Sequence, residues 1–244
     1  MTRRIYIIAG TTLLLGLFGL ALMGSKSYAR RASPTGDSSS YMPFTAASVH
    51  FEQNAADGDF EVVFEANGGL EGLTKLTVVS PDGRAVVDFT APAAATLGVR
   101  KLRFEFPGPE EVKSLKATYP EGIYTFAGTT ASGNQLHGQD TLNHQLPARA
   151  AFLYPEVEAA GVVTKNLKIT WKSAKNLSAN IIYIEQTENR AINLTANLPG
   201  SAAAFDVPDG FLLLGTEYKL RIGTVTEQGN NAFVETTFFT TRRE

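Results

Sequence analysis

The residues best suited to chemistry lie in one short segment, where two of the chain's three histidines flank an aspartate. His137, Asp140 and His144 are residue types that serve as general bases and metal ligands. The segment from Gln135 to Leu146 is predicted to begin as a strand, along which residues seven positions apart point to opposite faces. His137 and His144 therefore cannot share a metal ion on a regular strand, and we expect structural roles for both. An enzyme that uses His137 and Asp140 is a third-ranked hypothesis, and it requires both side chains on one face.

A second candidate is the acidic turn around Asp57 and Asp59, whose carboxylate oxygens suit Ca²⁺. A calcium-binding loop of the EF-hand type needs more ligands at fixed offsets, and Phe60 interrupts that spacing. We interpret the segment as an ordinary acidic turn, and the sequence leaves a weak Ca²⁺ site there open.

The composition argues against several classes of function. The chain contains no cysteine, which removes disulfides, thiol nucleophiles and cysteine-ligated zinc. It also contains no nucleophile elbow, Walker-type phosphate loop or dinucleotide-binding fingerprint. We therefore expect a protein that is not an enzyme and that uses no cofactor or metal ion.

Residues 1–29 are typical of a secretory signal peptide. Two arginines at positions 3 and 4 precede an apolar run over residues 5–23, and Ser27-Tyr28-Ala29 fits a small-x-small cleavage site. The alternative is an uncleaved inner-membrane anchor, since about 19 apolar residues can span a bilayer. We predict export to the periplasm or the extracellular space, with membrane contact only through this segment if it stays uncleaved.

The remaining chain is mildly acidic. Removal of residues 1–29 leaves 19 basic and 24 acidic groups, a net charge of −5. Without a basic block, this charge argues against nucleic acid and against electrostatic docking on anionic lipid. Residues 30–43 are small, polar and without periodicity, which predicts a flexible tether.

Short alternating segments separated by turn residues fill residues 44–148, which we predict to be a first β-sandwich. Its strongest hairpin signal is Pro81-Asp82-Gly83, because proline fixes φ and glycine accepts a positive φ. A short helix is predicted over residues 109–117 from helical spacing after a proline. Tyr124 then follows a glycine at the start of an alternating strand.

Residues 149–241 contain seven predicted strands, the number that a small sandwich requires. Trp171 ends an alternating segment that places the only tryptophan on a buried face. Tyr218 comes three residues after Gly215 and opens a strand in which apolar and charged residues alternate. A tyrosine placed like this can bury its ring and bond its hydroxyl to the upstream backbone, a tyrosine corner. Tyr124 repeats the arrangement in the first sandwich.

The second segment resembles a fibronectin type III domain over residues 150–241. The resemblance rests on Pro155, the Leu-x-Ile-x-Trp segment that ends at Trp171, the Tyr218 corner, and a last strand over residues 238–241. Residues 44–147 are similar to the first domain of uncharacterised exported bacterial proteins that carry a type III-like C-terminal domain. Together these resemblances imply an all-β exported protein of two tandem immunoglobulin- or fibronectin III-like β-sandwiches, and they supply no activity.

Phe211, Leu212 and Leu213 begin a run of four apolar residues in the loop before the corner. We expect them to pack beneath the tyrosine, with a partner-binding patch as the alternative. The function that we predict is a non-enzymatic interaction or spacer module that binds an unknown protein through loops and sheet edges. The alternative is a carbohydrate-binding or accessory module of an extracellular polymer-degrading system, which would require a solvent-facing row of aromatic side chains.

Overall fold

The computed structural model describes residues 41–54, 58–91, 98–107 and 112–243. The predicted signal peptide and residues 30–40 of the predicted tether lie outside these ranges, as does Asp57. Within the described ranges, no helix has both the length and the apolar character needed to cross a bilayer.

The first sandwich is formed by the elements up to residue 142. In chain order they are β1 (Met42–Pro43), β2 (Ala46–Asn54), β3 (Asp59–Asn67), β4 (Leu73–Val79), β5 (Ala85–Thr90), β6 (Lys101–Pro107), α1 (Val112–Thr118), β7 (Gly122–Thr130) and β8 (Gln135–Leu142). One sheet has the order β2-β3-β6 and the other the order β1-β8-β7-β4-β5. Alternate residues of both sheets, among them Phe51, Phe64 and Phe126, meet in one apolar core. The predicted short helix is confirmed in position, and its Leu115 is buried in this core.

The second sandwich is formed by the elements from residue 151 onward. They are β9 (Ala151–Tyr154), β10 (Ala159–Val162), β11 (Lys168–Lys172), β12 (Ala179–Gln186), β13 (Asn193–Pro199), β14 (Ala204–Asp206), β15 (Glu217–Val225) and β16 (Asn231–Thr240). Three strands in the order β14-β11-β9 face four strands in the order β13-β12-β15-β16. Trp171 and Ile182, one from each sheet, share the second apolar core. The predicted fold class, two tandem β-sandwiches with one short helix, is confirmed.

The two sandwiches share one sheet, which the sequence did not indicate. Strand β2 pairs in parallel with the first residues of β16, so the sheet runs β13-β12-β15-β16-β2-β3-β6. In this register Gln53 lies beside Ala232, and these residues have the same parity as the core residues Phe51 and Phe238. The five-stranded sheet β1-β8-β7-β4-β5 and the three-stranded sheet β14-β11-β9 therefore cover the same side of the shared sheet. The other side of the shared sheet faces outward.

Candidate functional site at the joint between the sandwiches

The joint is organised by the turn between β15 and β16, whose sequence is Thr226-Glu-Gln-Gly-Asn230. The Thr226 N–H donates to the Asn230 carbonyl oxygen at 2.9 Å, and the Thr226 hydroxyl oxygen accepts the Asn230 N–H at 3.1 Å. Gly229 has a φ of 90°, a left-handed conformation that glycine adopts without the steric penalty of other residues. The turn therefore holds Asn230 in one defined place at the start of β16.

The Asn230 side chain binds two segments of the first sandwich. Its Oδ1 accepts the N–H of Phe51 in β2 at 2.8 Å. Its Nδ2 donates to the carbonyl oxygens of Asn143 and Gln145, each at 3.0 Å, and lies 2.8 Å from Asn143 Oδ1. The residue is only 1% exposed. A buried side chain that satisfies groups in strand β2 and in the linker after β8 is costly to remove, so it fixes the sandwiches to each other.

The first sandwich contains the same turn with a different use of its asparagine. The sequence Thr130-Ala-Ser-Gly-Asn134 joins β7 to β8, and its Gly133 has a φ of 89°. The Thr130 N–H donates to the Asn134 carbonyl oxygen at 2.9 Å, as in the second sandwich. Here the asparagine Nδ2 donates only within its own sandwich, to Glu71 and Ser132 at 3.1 Å. The Thr-x-x-Gly-Asn repeat was visible in the sequence, but nothing local distinguishes the bridging copy.

A cluster of charges lies on the outward side of the shared sheet, next to the joint. Glu52 Oε2 accepts hydrogen bonds from Asn231 Nδ2 and Arg103, both at 3.2 Å, and lies 3.3 Å from the His50 ring. Burial alone would raise the pKa of Glu52, but the His50 hydrogen bond and the Arg103 charge outweigh burial and lower it. Glu52 is therefore an ionised carboxylate that links the charge cluster to the second sandwich.

Arg103 is the centre of this cluster, with Glu65 at 3.1 Å and Glu105 also bonded to it. Burial would lower the pKa of Arg103, but the charge of Glu52 and the Glu105 hydrogen bond raise it instead. A guanidinium surrounded by carboxylates keeps its charge and holds them in place. Three carboxylates share this guanidinium, so the cluster carries an excess of negative charge, and Arg103 is paired within it and not directed at a substrate.

Glu61 lies opposite Glu52 in the pairing of β2 with β3, close to this excess of negative charge. Its partial burial, together with the negative charges of Glu52, Glu105 and Asp59, raises its pKa to about 7. A carboxyl group with such a pKa can serve in acid–base catalysis, but it needs a nucleophile, a metal ion or a cavity beside it. Within the described residues, no group of three or more His, Cys, Asp or Glu side chains is arranged to hold a metal ion.

The tyrosine corners that the sequence indicated have the expected hydrogen bonds. Tyr218 is fully buried, and its hydroxyl oxygen accepts the Leu213 N–H at 2.9 Å. Its ring stacks on Phe238 with centroids 5.6 Å apart. Tyr124 is also fully buried, but its hydroxyl donates instead, to the Pro120 carbonyl oxygen at 3.0 Å. Trp171 is 1% exposed in the core, where its ring nitrogen has no hydrogen-bond partner.

The loop before the Tyr218 corner is divided between core and surface. Leu212 is 5% exposed and belongs to the core, so its inclusion in a partner-binding patch was wrong. Phe211 is partly buried, and its ring centroid lies 6.1 Å from that of Tyr218. Leu213 and Leu214 are exposed, by 51% and 44%. Any patch at this corner would therefore depend on two leucines.

The histidine and aspartate candidates do not form a catalytic group. Strand β8 pairs with β7 without a register shift, so His137 and Asp140, three residues apart, point to opposite faces. Asp140 Oδ2 accepts the Val49 N–H at 2.8 Å, whereas the exposed His137 ring lies against Tyr41. His144 lies beyond the strand, with its Nε2 2.8 Å from the Tyr119 carbonyl oxygen. The third-ranked hypothesis is therefore dropped.

The calcium candidate has only one described member. Asp59 Oδ1 accepts the N–H of Phe60 at 2.8 Å, a local turn contact. Asp57 lies outside the described residues.

The strand order defines the class of fold in both halves. In residues 150–241 a three-stranded sheet faces a four-stranded one, and the buried Tyr218 lies at the corner between β14 and β15. This arrangement is that of a fibronectin type III-like sandwich. The first sandwich repeats this order, with β6-β3-β2 facing β5-β4-β7-β8.

Solved structures that resemble the chain include tandem modules of this class. The fibronectin(III)-like modules of Clostridium thermocellum CbhA match with a TM-score of 0.34 and 9% identity over 81% of this chain and 91% of theirs. A two-domain type III segment of chicken tenascin matches with a TM-score of 0.32 and 12% identity, over 74% of this chain and 92% of that segment. The FN1–FN3 domains of chicken CNTN1 match with a TM-score of 0.34 and 8% identity, over 82% of this chain and 65% of that chain. No protein-family model and no curated protein sequence matches the chain.

Proposed function

We propose that this chain is an exported, non-enzymatic interaction or spacer module of the cell envelope or extracellular space. The observation that carries the proposal is the continuous sheet across the joint, with the buried Asn230 side chain bonded to Phe51, Asn143 and Gln145. Sandwiches joined only by a linker are expected to move relative to each other. A shared sheet instead keeps the two ends of the module at a fixed separation, which a spacer requires.

Loops at the joint and the free sheet edges support binding of a protein partner. The linker residues 145–148 and the loops over residues 175–177 and 226–228 line an open, polar cleft of about 560 Å³. One edge is already occupied, because β16 pairs with β2 along its first residues and with β10 along its last. Partners are therefore expected at the loops and at the remaining outer strands.

The carbohydrate-binding alternative has less support. Among the described aromatic side chains, only Tyr41 and Tyr154 are exposed, at 62% and 42%. Each belongs to a different sandwich, so they do not form the row on one sheet that a sugar platform would need. We therefore propose a protein partner and not a glycan.

The experiment is a binding assay of the labelled, full-length protein on isolated cell envelopes from its source. Saturable binding that unlabelled protein displaces is the expected result, and heat-unfolded protein is the control. Binding that rises without saturation and resists displacement would contradict the interaction role. Specific hits on a glycan array, abolished by Tyr41→Ala or Tyr154→Ala, would favour the carbohydrate-binding alternative.

A further inference from the structure

Most outer strands of the described sheets carry a feature that opposes pairing with another chain. Natural sheets protect their edges with charges, short strands or bulges. Strand β6 has Lys101, Arg103 and Glu105, and β5 has Asp88 and a register shift against β4. Strands β1, β9 and β14 contain only two, four and three residues.

Strand β13 is the exception along its first six residues, and its one edge-blocking residue is Pro199 at its end. It has seven residues, Asn-Leu-Thr-Ala-Asn-Leu-Pro, and none is charged. It pairs with β12 over all seven positions without a register shift. In the first sandwich the strand at the equivalent place is β5, which is charged and shifted. The outer strand at this position is therefore protected against pairing in the first sandwich and open to pairing in the second.

The free backbone groups of β13 can be assigned from the hydrogen bonds at its two ends. The Gln186 N–H donates to the Ile192 carbonyl oxygen at 3.0 Å, and the Gly200 N–H donates to the Ser178 carbonyl oxygen at 3.1 Å. Because hydrogen-bonded pairs recur at every second residue of an antiparallel ladder, even-numbered residues of β13 bond to β12. The N–H and carbonyl groups of residues 193, 195 and 197 consequently point away from the sheet.

The side chains of β13 also leave apolar surface for a neighbour to cover. Leu194, Ala196 and Leu198 pack against the second core but are only partly buried. Thr195 and Asn197 are exposed on the opposite face. Another strand beside β13 would bury more of both leucines, and burial of apolar surface favours association.

We propose that β13 pairs with β13 of a second copy of this chain, antiparallel about a two-fold axis at Thr195. In this register Leu194 lies opposite Ala196 of the second copy, and Asn193 lies opposite Asn197. Apolar positions therefore meet apolar positions, polar positions meet polar ones, and no like charges face each other. The contact is isologous and closes on itself as a dimer. This inference rests on the proposed role as an interaction module and names one edge and one partner for it.

Sedimentation velocity of the full-length chain, from about 1 to 200 µM, tests the proposal. The wild type should shift from monomer to dimer with concentration. Thr195→Lys places two lysines across the two-fold axis, so it should raise the dimer dissociation constant by about tenfold or more. Thr90→Lys makes the same change at an exposed position of β5 and should behave as the wild type. Equal melting temperatures would show that both variants are folded.

Cross-linking provides a second readout, because the chain has no cysteine of its own. Thr195→Cys should be captured as a covalent dimer by a short bismaleimide, and Ala85→Cys should not. A wild type that stays monomeric overturns the proposal, as does association that Thr195→Lys leaves unchanged. A monomer that still binds envelopes saturably would overturn only this inference and would leave the proposed function standing.

Discussion

Replacement of Asn230 by alanine is expected to weaken the joint more than any equivalent change elsewhere in the turns. The variant removes an amide that is 1% exposed and serves Phe51, Asn143 and Gln145. The Phe51 N–H would then be buried without an acceptor, and two carbonyl oxygens would each lose a donor. Asn134→Ala is the matched control, because it makes the same change in the same turn of the first sandwich.

The expected magnitude follows from the groups left without partners. A buried donor without an acceptor costs about 1–3 kcal/mol, and the two carbonyl groups add to that cost. We expect Asn230→Ala to lower the free energy of unfolding by about 2–3 kcal/mol. Asn134 makes its bonds at the surface, so its variant should lose only about 0.5 kcal/mol.

Urea unfolding followed by circular dichroism and tryptophan fluorescence measures this difference. With a urea m-value of about 2–3 kcal/mol/M, the midpoint for Asn230→Ala should fall by about 1 M. The tryptophan lies in the second sandwich, so the two signals should coincide in the wild type and separate in the variant. Equal effects of Asn230→Ala and Asn134→Ala would refute the reasoning, because the bridge would then contribute nothing specific.

Three further predictions concern single side chains. Tyr218→Phe leaves the Leu213 N–H without its acceptor and should lower the free energy of unfolding by about 1 kcal/mol, and an unchanged urea midpoint would contradict the corner. Leu212→Ala should lower the free energy of unfolding by about 2–4 kcal/mol, because Leu212 is in the core. Leu213→Ala, at the surface, should change it by less than about 0.5 kcal/mol. Similar losses for the two variants would contradict the division of this loop between core and surface. The raised pKa of Glu61, about 7 against 4.5 for an ordinary glutamate, means that the folded state loses stability as the pH rises through this range. Glu61→Gln should therefore match the wild type at pH 4 and exceed it by about 1 kcal/mol at pH 8, after allowance for solvent screening, and a constant difference in melting temperature would show that Glu61 titrates normally.

Features that depend on local sequence were predictable. Gly215 and Tyr218 define a corner within four residues, and alternation around Trp171 identifies a buried strand face. Strand β2 was missed although Val49 and Phe51 alternate with polar residues, because alanine and serine weaken the pattern at its start.

The joint could not be predicted, because it depends on long-range pairing. Strand β2 meets β16 through residues about 180 positions apart in the chain, and no local pattern specifies that contact. Asn230 and Asn134 end the same Thr-x-x-Gly-Asn pattern and have the same turn geometry, yet only Asn230 meets another sandwich. In the same way, four consecutive apolar residues carry no period that separates buried Leu212 from exposed Leu213.

The distance between the sandwiches is the most direct test of the central claim that a shared sheet makes them one rigid module. Spin labels at Ala127→Cys and Ala204→Cys occupy exposed strand positions, one in each sandwich, in a chain without other cysteines. Pulsed electron–electron double resonance should give one narrow distance distribution, which Asn230→Ala broadens and Asn134→Ala leaves unchanged. A broad distance distribution in the labelled protein that keeps both Asn230 and Asn134 would contradict the claim.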